Sequence, residues 1–356
     1  MNQSIGDTVS SNGSELALPC ATEDVDALLS QPSEEAIDVL GETEGPIIVL
    51  GAGGKMGLHL CTLLKRAFSD LSRSDPIYAA SRFQSLRDAS AYEQLGLQVL
   101  KGDFRDDELV KSLPDCPTVF YLVGAKFGTS NNPQLLREIN VEVARELAYR
   151  YRGSKIVALS TGCVYSYVLP ESGGSLENSP MNPIGEYARS CLEREIQFQE
   201  ISKQYNTQVA LIRLNYSVEF RYGVLLDIGQ KVFDDDPVDL TMSHVNVIWQ
   251  NDALNHTVQS LEIADTPAVP INVTGADMLS VRDLAEAFAK RFSIRPRFAG
   301  AESESMWLSN ASKSHRLFGP PKVGVEQMID WIAAWILQGG ETHGKPTGFE
   351  TRDGKF

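Results

Sequence analysis

Apolar runs alternate with amphipathic stretches along the first two thirds of the chain. Six runs rich in Val, Ile and Leu predict buried parallel strands, at 46–50, 76–80, 97–101, 117–123, 154–160 and 207–213. Apolar residues at helical spacing predict helices between them, at 55–70, 84–94, 105–112, 132–151 and 186–204. This alternation predicts an α/β fold built on a doubly wound parallel sheet.

The strand at 46–50 runs directly into a glycine-rich turn. Three glycines follow it at intervals of three residues, and an amphipathic helix comes next. A helix N-terminus without bulky side chains exposes N–H groups and the positive end of the helix dipole, where a pyrophosphate fits. The turn therefore predicts a dinucleotide site; an ordinary glycine-rich strand–helix turn is the alternative. The residues expected to hold the cofactor here are Gly51, Gly54, Lys55, Met56 and Gly57.

After Arg213 the rhythm of the pattern changes, which divides the chain into unequal parts. The expected parts are an N-terminal extension (1–45, disordered over 1–14, then short helices), a dinucleotide-binding domain (46–213 with about 242–262), a smaller C-terminal substrate lobe (214–241 and 263–340) and a polar tail (341–356). We expect the strand at 243–249 and a helix at 251–262 to return to the sheet. The segments 270–273, 279–292, 308–318 and 325–338 are expected to form the smaller lobe.

Charge and cysteine content narrow the class of protein. The net charge of −15 argues against a nucleic-acid surface, which needs a basic stripe, and against adhesion to anionic lipid. Five scattered cysteines without CxxC spacing predict reduced thiols and no metal site. No apolar run reaches the ~20 residues of a membrane span, and no secretory signal is visible. We expect a cytoplasmic protein with a small-molecule substrate and no nucleic-acid or membrane partner, and a homodimer is one expected assembly.

The ends of the second and third strands carry candidate cofactor contacts. The second strand ends at Ser81 and Arg82 without a carboxylate. An acid there selects NAD, whereas an Arg accommodates the 2′-phosphate of NADP, so NADP is the preferred expectation and NAD the second. If Arg82 only begins a solvated loop, that preference has no basis. The third strand is followed by Asp103 and Phe104, which are expected to touch the adenine; the alternative is that Asp103 caps the next helix.

The fifth strand ends in hydroxyl groups, at Ser160 and Thr161, and Tyr187 stands near the start of a long helix. Side chains at the carboxyl ends of parallel strands face the crevice where ligands bind. With the glycine turn, these motifs resemble the extended short-chain dehydrogenase/reductase superfamily, in its NAD-dependent epimerase/dehydratase group, over about 46–338.

The resemblance implies a Rossmann-like fold and a catalytic pair. The S-T-G-C-V-Y segment at 160–165 is similar to the family's S-S/T-x-x-V-Y strand end, which places Thr161 at the catalytic hydroxyl position, with Tyr187 as the acid or base. Further residues implied by the resemblance are Val123, Gly124, Asn140 and Tyr187 toward the cofactor and Asn215 toward the substrate.

One departure from the family pattern concerns the catalytic helix. The family reads Y-x-x-S-K, whereas this chain has Cys191 in place of the lysine, four residues after Tyr187. That lysine would lower the tyrosine pKa from its usual value near ~10, and a protonated cysteine carries no charge to do so. Tyr187 is therefore predicted to be a poor base that can still donate a proton. We expect Lys126, after the fourth strand, to supply the missing charge; a solvated loop lysine is the alternative.

The sequence thus predicts an NAD(P)-binding oxidoreductase or epimerase that acts on a polar small molecule, with sugars as one candidate class. Intact Thr161 and Tyr187 favour this interpretation. The loss of the lysine at Cys191 favours the alternative, a catalytically degenerate NAD(P)-binding sensor or regulatory protein. A scaffold that keeps the fold for interaction alone is a third hypothesis.

Overall fold

The computed structural model describes residue 19 and residues 21–84, 86, 88–126 and 132–354. The expected disorder over 1–14, Cys20 and the terminal Phe356 lie outside the described residues.

Seven parallel strands form the central sheet. In chain order they are β1 (Ile47–Leu50), β2 (Ile77–Ser81), β3 (Gln98–Lys101), β4 (Thr118–Tyr121), β5 (Lys155–Thr161), β6 (Val209–Leu214) and β7 (Val269–Val273). Their spatial order is β7-β6-β5-β4-β1-β2-β3. In register, Ile47 of β1 lies beside Ile77 on one side and Thr118 on the other. The order reverses at β1, which is the doubly wound Rossmann arrangement, so the predicted fold class is confirmed.

Helices cover both faces of this sheet. The first eight are α1 (Thr22–Leu28), α2 (Glu34–Gly41), α3 (Gly57–Asp70), α4 (Ala89–Gln94), α5 (Asp107–Ser112), α6 (Pro133–Arg137), α7 (Val143–Arg150) and α8 (Gly185–Tyr205). The remaining five are α9 (Val224–Phe233), α10 (Gln250–Gln259), α11 (Val281–Phe292), α12 (Ser312–Phe318) and α13 (Val325–Leu337). Alternate side chains of β1 point to opposite faces of the sheet. Ile47 and Val49 belong to the apolar core beneath α3 and α10, whereas Ile48 and Leu50 belong to the apolar core beneath α7 and α8.

Two predicted helices are shorter than expected or interrupted. The helix expected at 84–94 begins only at Ala89, because the Asp88 side chain accepts a hydrogen bond from Ser90 N and caps it. The helix expected at 132–151 is interrupted by a π-helical turn at Glu138–Glu142. Such turns are frequent at functional sites, and this one contains the buried Asn140.

A third apolar core lies under α9, α11 and α13. Phe220, Trp249 and Trp331 pack at its centre, with ring centroids 5.1 Å apart for Phe220–Trp249 and 5.2 Å apart for Trp249–Trp331. The C-terminal tail packs back onto the protein through Phe349, which is 1% exposed.

Two of the sequence-based assignments made for the chain after Arg213 are wrong. The segment expected at 270–273 in the smaller lobe is β7 of the central sheet, where Val269 lies beside Ala210. The segment 243–249 does not return to the sheet; it forms two-residue strands, 244–245 and 248–249, that pair with 279–280 and 217–218. Asn246 divides this run, because its buried amide is hydrogen-bonded to Asn215 and Ser309. An apolar run predicts a strand but not its pairing partner.

Among the described residues, no helix has the length and apolar character needed to cross a membrane.

Candidate active site

The glycine turn after β1 leaves open space in front of a helix N-terminus. Gly51 has φ +84°, and a Cβ there would lie 2.7 Å from the Leu122 carbonyl carbon. A Cβ on Gly57 would lie 1.9 Å from the Ala52 oxygen, so both glycines are required by packing. Gly54 is exposed, and a Cβ there would meet only the Gly51 oxygen, at 3.4 Å. The turn therefore has the shape that a phosphate group needs to approach the backbone.

A cavity of about 360 Å³ opens beside this turn along the carboxyl ends of β1, β2, β3 and β4. The predicted cofactor residues that line it are Gly51, Gly54, Ser81, Arg82, Asp103, Phe104, Val123 and Gly124. Asn140 lies behind this wall, where its Oδ1 accepts from Ala125 N at 2.8 Å and its Nδ2 donates to Ser190 Oγ at 2.8 Å. Asn140 thus fixes the backbone next to Gly124.

At the far end of this first cavity, Arg82 is about half exposed and its Nη1 lies 3.9 Å from Asp103 Oδ2. Asp103 also pairs with Arg105 at 2.7 Å, and the hydrogen bond from Arg105 is the main reason that the pKa of Asp103 is lowered. The alternative role of Asp103 as a helix cap is excluded, since α5 is capped by Asp106. Arg82 is thus a cation at the cavity edge whose charge is shared with one carboxylate.

A second cavity, of about 240 Å³, lies beyond the fourth and fifth strands. The predicted residues that it brings together are Lys55, Met56, Lys126, Thr161, Tyr187 and Asn215. Sequence reasoning missed several further lining residues, among them Tyr216, Tyr222 and Thr347, which come from loops and from the C-terminal segment. No local motif marks them, because only the tertiary fold carries residues so distant in sequence to the glycine turn.

Tyr187 is held in its protonated form. Burial raises its pKa well above the usual value, the neighbouring Cys191 and Cys163 add to the shift, and Arg194 opposes it. Cys191 is fully buried, and burial also raises the pKa of its thiol. The hydroxyl of Tyr187 can therefore donate a proton at neutral pH, and Cys191 is a protonated thiol that does not replace the lysine's charge.

Two cations lie near Tyr187. Lys126 Nζ is 5.7 Å from the centroid of the Tyr187 ring and donates to the Thr347 carbonyl oxygen at 3.4 Å. Burial lowers the pKa of Lys126, so this residue is part of the cavity wall and the solvated-loop alternative is wrong. The second cation is Arg194, whose Nη1 donates to the Val123 oxygen at 3.2 Å. Sequence reasoning missed Arg194, although its spacing of seven residues from Tyr187 places both on one face of α8.

The remaining hydroxyls and amides have distinct positions. Thr161 Oγ1 accepts a hydrogen bond from Cys163 N at 3.2 Å, which leaves its own proton available to a ligand. Ser160 donates instead to the buried Glu195 at 2.5 Å. Asn215 lines the cavity, and because its Nδ2 donates one hydrogen bond to Asn246 at 2.8 Å, its second N–H and its Oδ1 remain for a substrate.

A buried ion pair joins β6 to α8. Arg213 Nη2 lies 2.7 Å from Glu195 Oε2, and both side chains are almost completely buried. Arg213 also donates to the Tyr165 hydroxyl at 2.8 Å. This pair fixes α8 against the ends of β5 and β6. Within the described ranges, no cluster of three or more His, Cys, Asp or Glu side chains is placed to hold a metal ion.

A parallel sheet with a glycine turn at its order reversal, and with Thr161 and Tyr187 beside one cavity, defines a dinucleotide-binding protein of the Rossmann type. Residues 47–217 match the model of the NAD dependent epimerase/dehydratase family. The match covers 171 of the 356 residues and bears out the family resemblance that the sequence motifs carry.

Solved structures of similar fold are sugar-nucleotide enzymes. UDP-glucuronic acid 4-epimerase from Bacillus cereus, in complex with UDP-glucuronic acid and NAD, is 19% identical, with a TM-score of 0.68 over 82% of this chain and 99% of that one. UDP-glucose 4-epimerase from Thermotoga maritima, with UDP-glucose, is 15% identical, with a TM-score of 0.68 over 83% and 99%. dTDP-glucose 4,6-dehydratase from Streptomyces venezuelae, with NAD and TYD bound, is 17% identical, with a TM-score of 0.67 over 80% and 96%. A comparison with curated protein sequences finds no significant match.

Proposed function

We propose that the protein is an NAD(P)-dependent oxidoreductase or epimerase that acts on a polar small molecule, with sugars as a candidate class. The observation that carries this proposal is the convergence of Thr161, Tyr187 and Lys126 on one cavity, next to a glycine turn that is open to a phosphate. The match to the family model supports the same conclusion at the level of reaction class.

The chain offers a continuous surface for the dinucleotide. The backbone around Gly54 would hold the pyrophosphate, Asp103 and Phe104 the adenine, and Met56 and Val123 the end that approaches Tyr187. When bound, the nicotinamide supplies or accepts a hydride. We keep NADP as the predicted preference because Arg82 lies at the first cavity's edge and β2 ends without a carboxylate.

The side chains around the second cavity favour the reduction of a carbonyl group. Tyr187 keeps its proton at neutral pH, because burial raises its pKa, and it would donate that proton to the substrate oxygen as the carbon is reduced. The free Thr161 proton gives a second hydrogen bond to the same oxygen. The Lys126 cation would stabilise the negative charge that develops there. In the reverse direction, Tyr187 would have to lose its proton first, which requires alkaline conditions.

Isotope transfer tests this proposal. We would incubate the protein with NADPH or NADH deuterated at C4 of the nicotinamide and with a bacterial metabolite extract, and detect deuterated products by mass spectrometry. Tyr187→Phe should abolish transfer in a protein that still binds the dinucleotide, and the exposed Tyr149→Phe is the matched control.

Equal transfer by wild type and Tyr187→Phe would contradict the catalytic assignment. Tight dinucleotide binding without any transfer would favour a sensor in place of the enzyme.

A further inference from the structure

Two lysine amines converge on the second cavity from different elements. The side chain of Lys55 leaves the glycine turn, donates to the Ser217 carbonyl oxygen at 3.2 Å, and places its Nζ 4.1 Å from the centroid of the Tyr222 ring. Lys126 approaches from the end of β4 and contacts the C-terminal segment at Thr347. The Lys55 side chain thus points into the second cavity, away from the first one that the cofactor residues line.

The carboxylates nearest to these amines already have strong partners. Glu219 lies 3.2 Å from Arg221 and 3.2 Å from His343. Asp227, on α9, accepts hydrogen bonds from Thr347 N at 2.8 Å and from its Oγ1 at 2.6 Å. Both acids are therefore engaged in fixing the cavity wall, and neither forms a direct ion pair with Lys55.

The two amines also act on each other electrostatically. Burial lowers the pKa of Lys55 to about 8, Glu219 opposes that shift, and the charges of Lys126 and Arg221 add to it. Burial likewise lowers the pKa of Lys126, which Asp227 partly offsets. A negative group between the amines would remove their mutual repulsion and form charge-assisted hydrogen bonds with both of them.

We propose that this cavity binds its substrate through an anionic group, a carboxylate or a phosphate, held by Lys55 and Lys126. The proposal rests on the proposed function, since it takes Tyr187 and Thr161 as the groups that face the reacting carbon. An anion fixed at the lysines would orient the rest of the molecule toward these two hydroxyls. Lys55 is then a specificity-determining residue that the glycine motif by itself does not reveal.

The size of the cavity limits the substrate further. Its volume of about 240 Å³ is below the ~300–1,000 Å³ of pockets for drug-sized ligands. The C-terminal segment closes one side, where Thr347 is 4% exposed and bound to Asp227. A small acid such as a monosaccharide acid or a sugar phosphate fits this description better than a sugar linked to a nucleotide.

Calorimetric titration of the full-length protein tests the proposal without turnover. The probes are D-glucuronate and glucose 6-phosphate as anions, D-glucose as the neutral match and UDP-glucuronate as the large match, each with and without NADPH. We expect at least one anion to bind at least tenfold more tightly than glucose, and UDP-glucuronate to bind no more tightly than glucuronate.

Lys55→Met and Lys126→Met should each lower the anion affinity about tenfold or more and keep the NADPH affinity and the melting temperature. Lys65→Met, at an exposed position on α3, should leave all three quantities unchanged.

Three results would overturn the proposal: anion binding equal to that of glucose, anion binding that both lysine variants retain, or UDP-glucuronate binding at least tenfold more tightly than glucuronate.

Failure of the anion-site proposal is distinguishable from failure of the proposed function. Lysine-dependent anion binding with deuteride transfer that survives Tyr187→Phe would refute the catalytic assignment alone. Transfer that requires Tyr187, together with anion binding that Lys55→Met does not weaken, would refute the anion site alone.

Discussion

Gly54→Val is expected to abolish dinucleotide binding and leave the fold intact. A Cβ at this position meets only the Gly51 oxygen at 3.4 Å, and Gly54 is not among the residues with positive φ. We therefore expect the free energy of unfolding to change by less than ~1 kcal/mol. The valine side chain would occupy the space in front of the α3 N-terminus that a pyrophosphate needs. Loss of one or two charge-assisted hydrogen bonds, at about 1.5–3 kcal/mol each, lowers the affinity by a factor between roughly ten and about twenty thousand.

Gly57→Ala is the matched control, because the same turn cannot accommodate a Cβ there. The added atom would lie 1.9 Å from the Ala52 oxygen, so backbone must move. Overpacking of this kind costs about 1–3 kcal/mol, and we expect a clear fall in melting temperature.

The assay combines fluorescence titration of NADPH and NADH with thermal melting of both variants. A folded Gly54→Val protein that binds the dinucleotide with wild-type affinity would contradict the pyrophosphate site at the glycine turn, because the dinucleotide would then bind elsewhere. A collapsed melting curve for Gly54→Val would show that the glycine is needed for folding instead.

Three further predictions concern charge. Arg82→Ala should weaken NADPH about tenfold, by loss of a charge-assisted bond to the 2′-phosphate, and leave NADH unchanged in the same titration. The active form of Tyr187 is the protonated one, so deuteride transfer should fall as the pH rises through the raised pKa of Tyr187. Lys126→Met removes a nearby positive charge and should move this alkaline limb to higher pH. Cys191→Lys adds a positive charge and should move it to lower pH. At a separation of ~5 Å and an effective dielectric of ~20, a unit positive charge stabilises the Tyr187 phenolate by about 3 kcal/mol, which shifts the alkaline limb by roughly two pH units. The ion pairs of Glu219 lower its pKa to about 2, so the stability that they contribute is complete above ~4.5 and lost as pH falls through about 2; Glu219→Gln should lose that dependence in acid unfolding.

Each of these has a contrary outcome. An equal loss of NADH and NADPH affinity in Arg82→Ala would remove the basis for the NADP preference. An unmoved alkaline limb in Lys126→Met would show that this lysine does not act on Tyr187, and would leave Arg194 as the cation that lowers the tyrosine pKa. An acid unfolding curve of Glu219→Gln parallel to wild type would show that other groups set the acid limit.

Local signals allowed the sequence to predict the parts of the site that follow single strands. The glycine turn, the Ser81–Arg82 strand end and the Thr161 segment are each contained in a few consecutive residues, and the structure places them along the same edge of the sheet. Pairing partners were not predictable in this way, because β7 reads as an ordinary apolar run and only the fold shows it beside β6. The same holds for Thr347, which reaches the cavity through its bonds to Asp227.

The side chain of Lys55 illustrates a different limit. Its place in the glycine motif predicted a cofactor contact, since the motif describes where the backbone lies. The direction of the side chain depends on Ser217 and Tyr222, which lie more than 160 residues later in the chain. A motif therefore locates a backbone, whereas the chemistry that its side chains contribute depends on what packs against them.

The most direct test of the account is a crystal structure of the protein grown with NADPH. We expect pyrophosphate density at the N–H groups around Gly54 and a nicotinamide ring that enters the second cavity beside Met56, with its C4 atom facing the hydroxyls of Thr161 and Tyr187. Density for the dinucleotide elsewhere, or a nicotinamide turned away from Tyr187 with the cavity sealed, would contradict the assignment of this cavity as a hydride-transfer site.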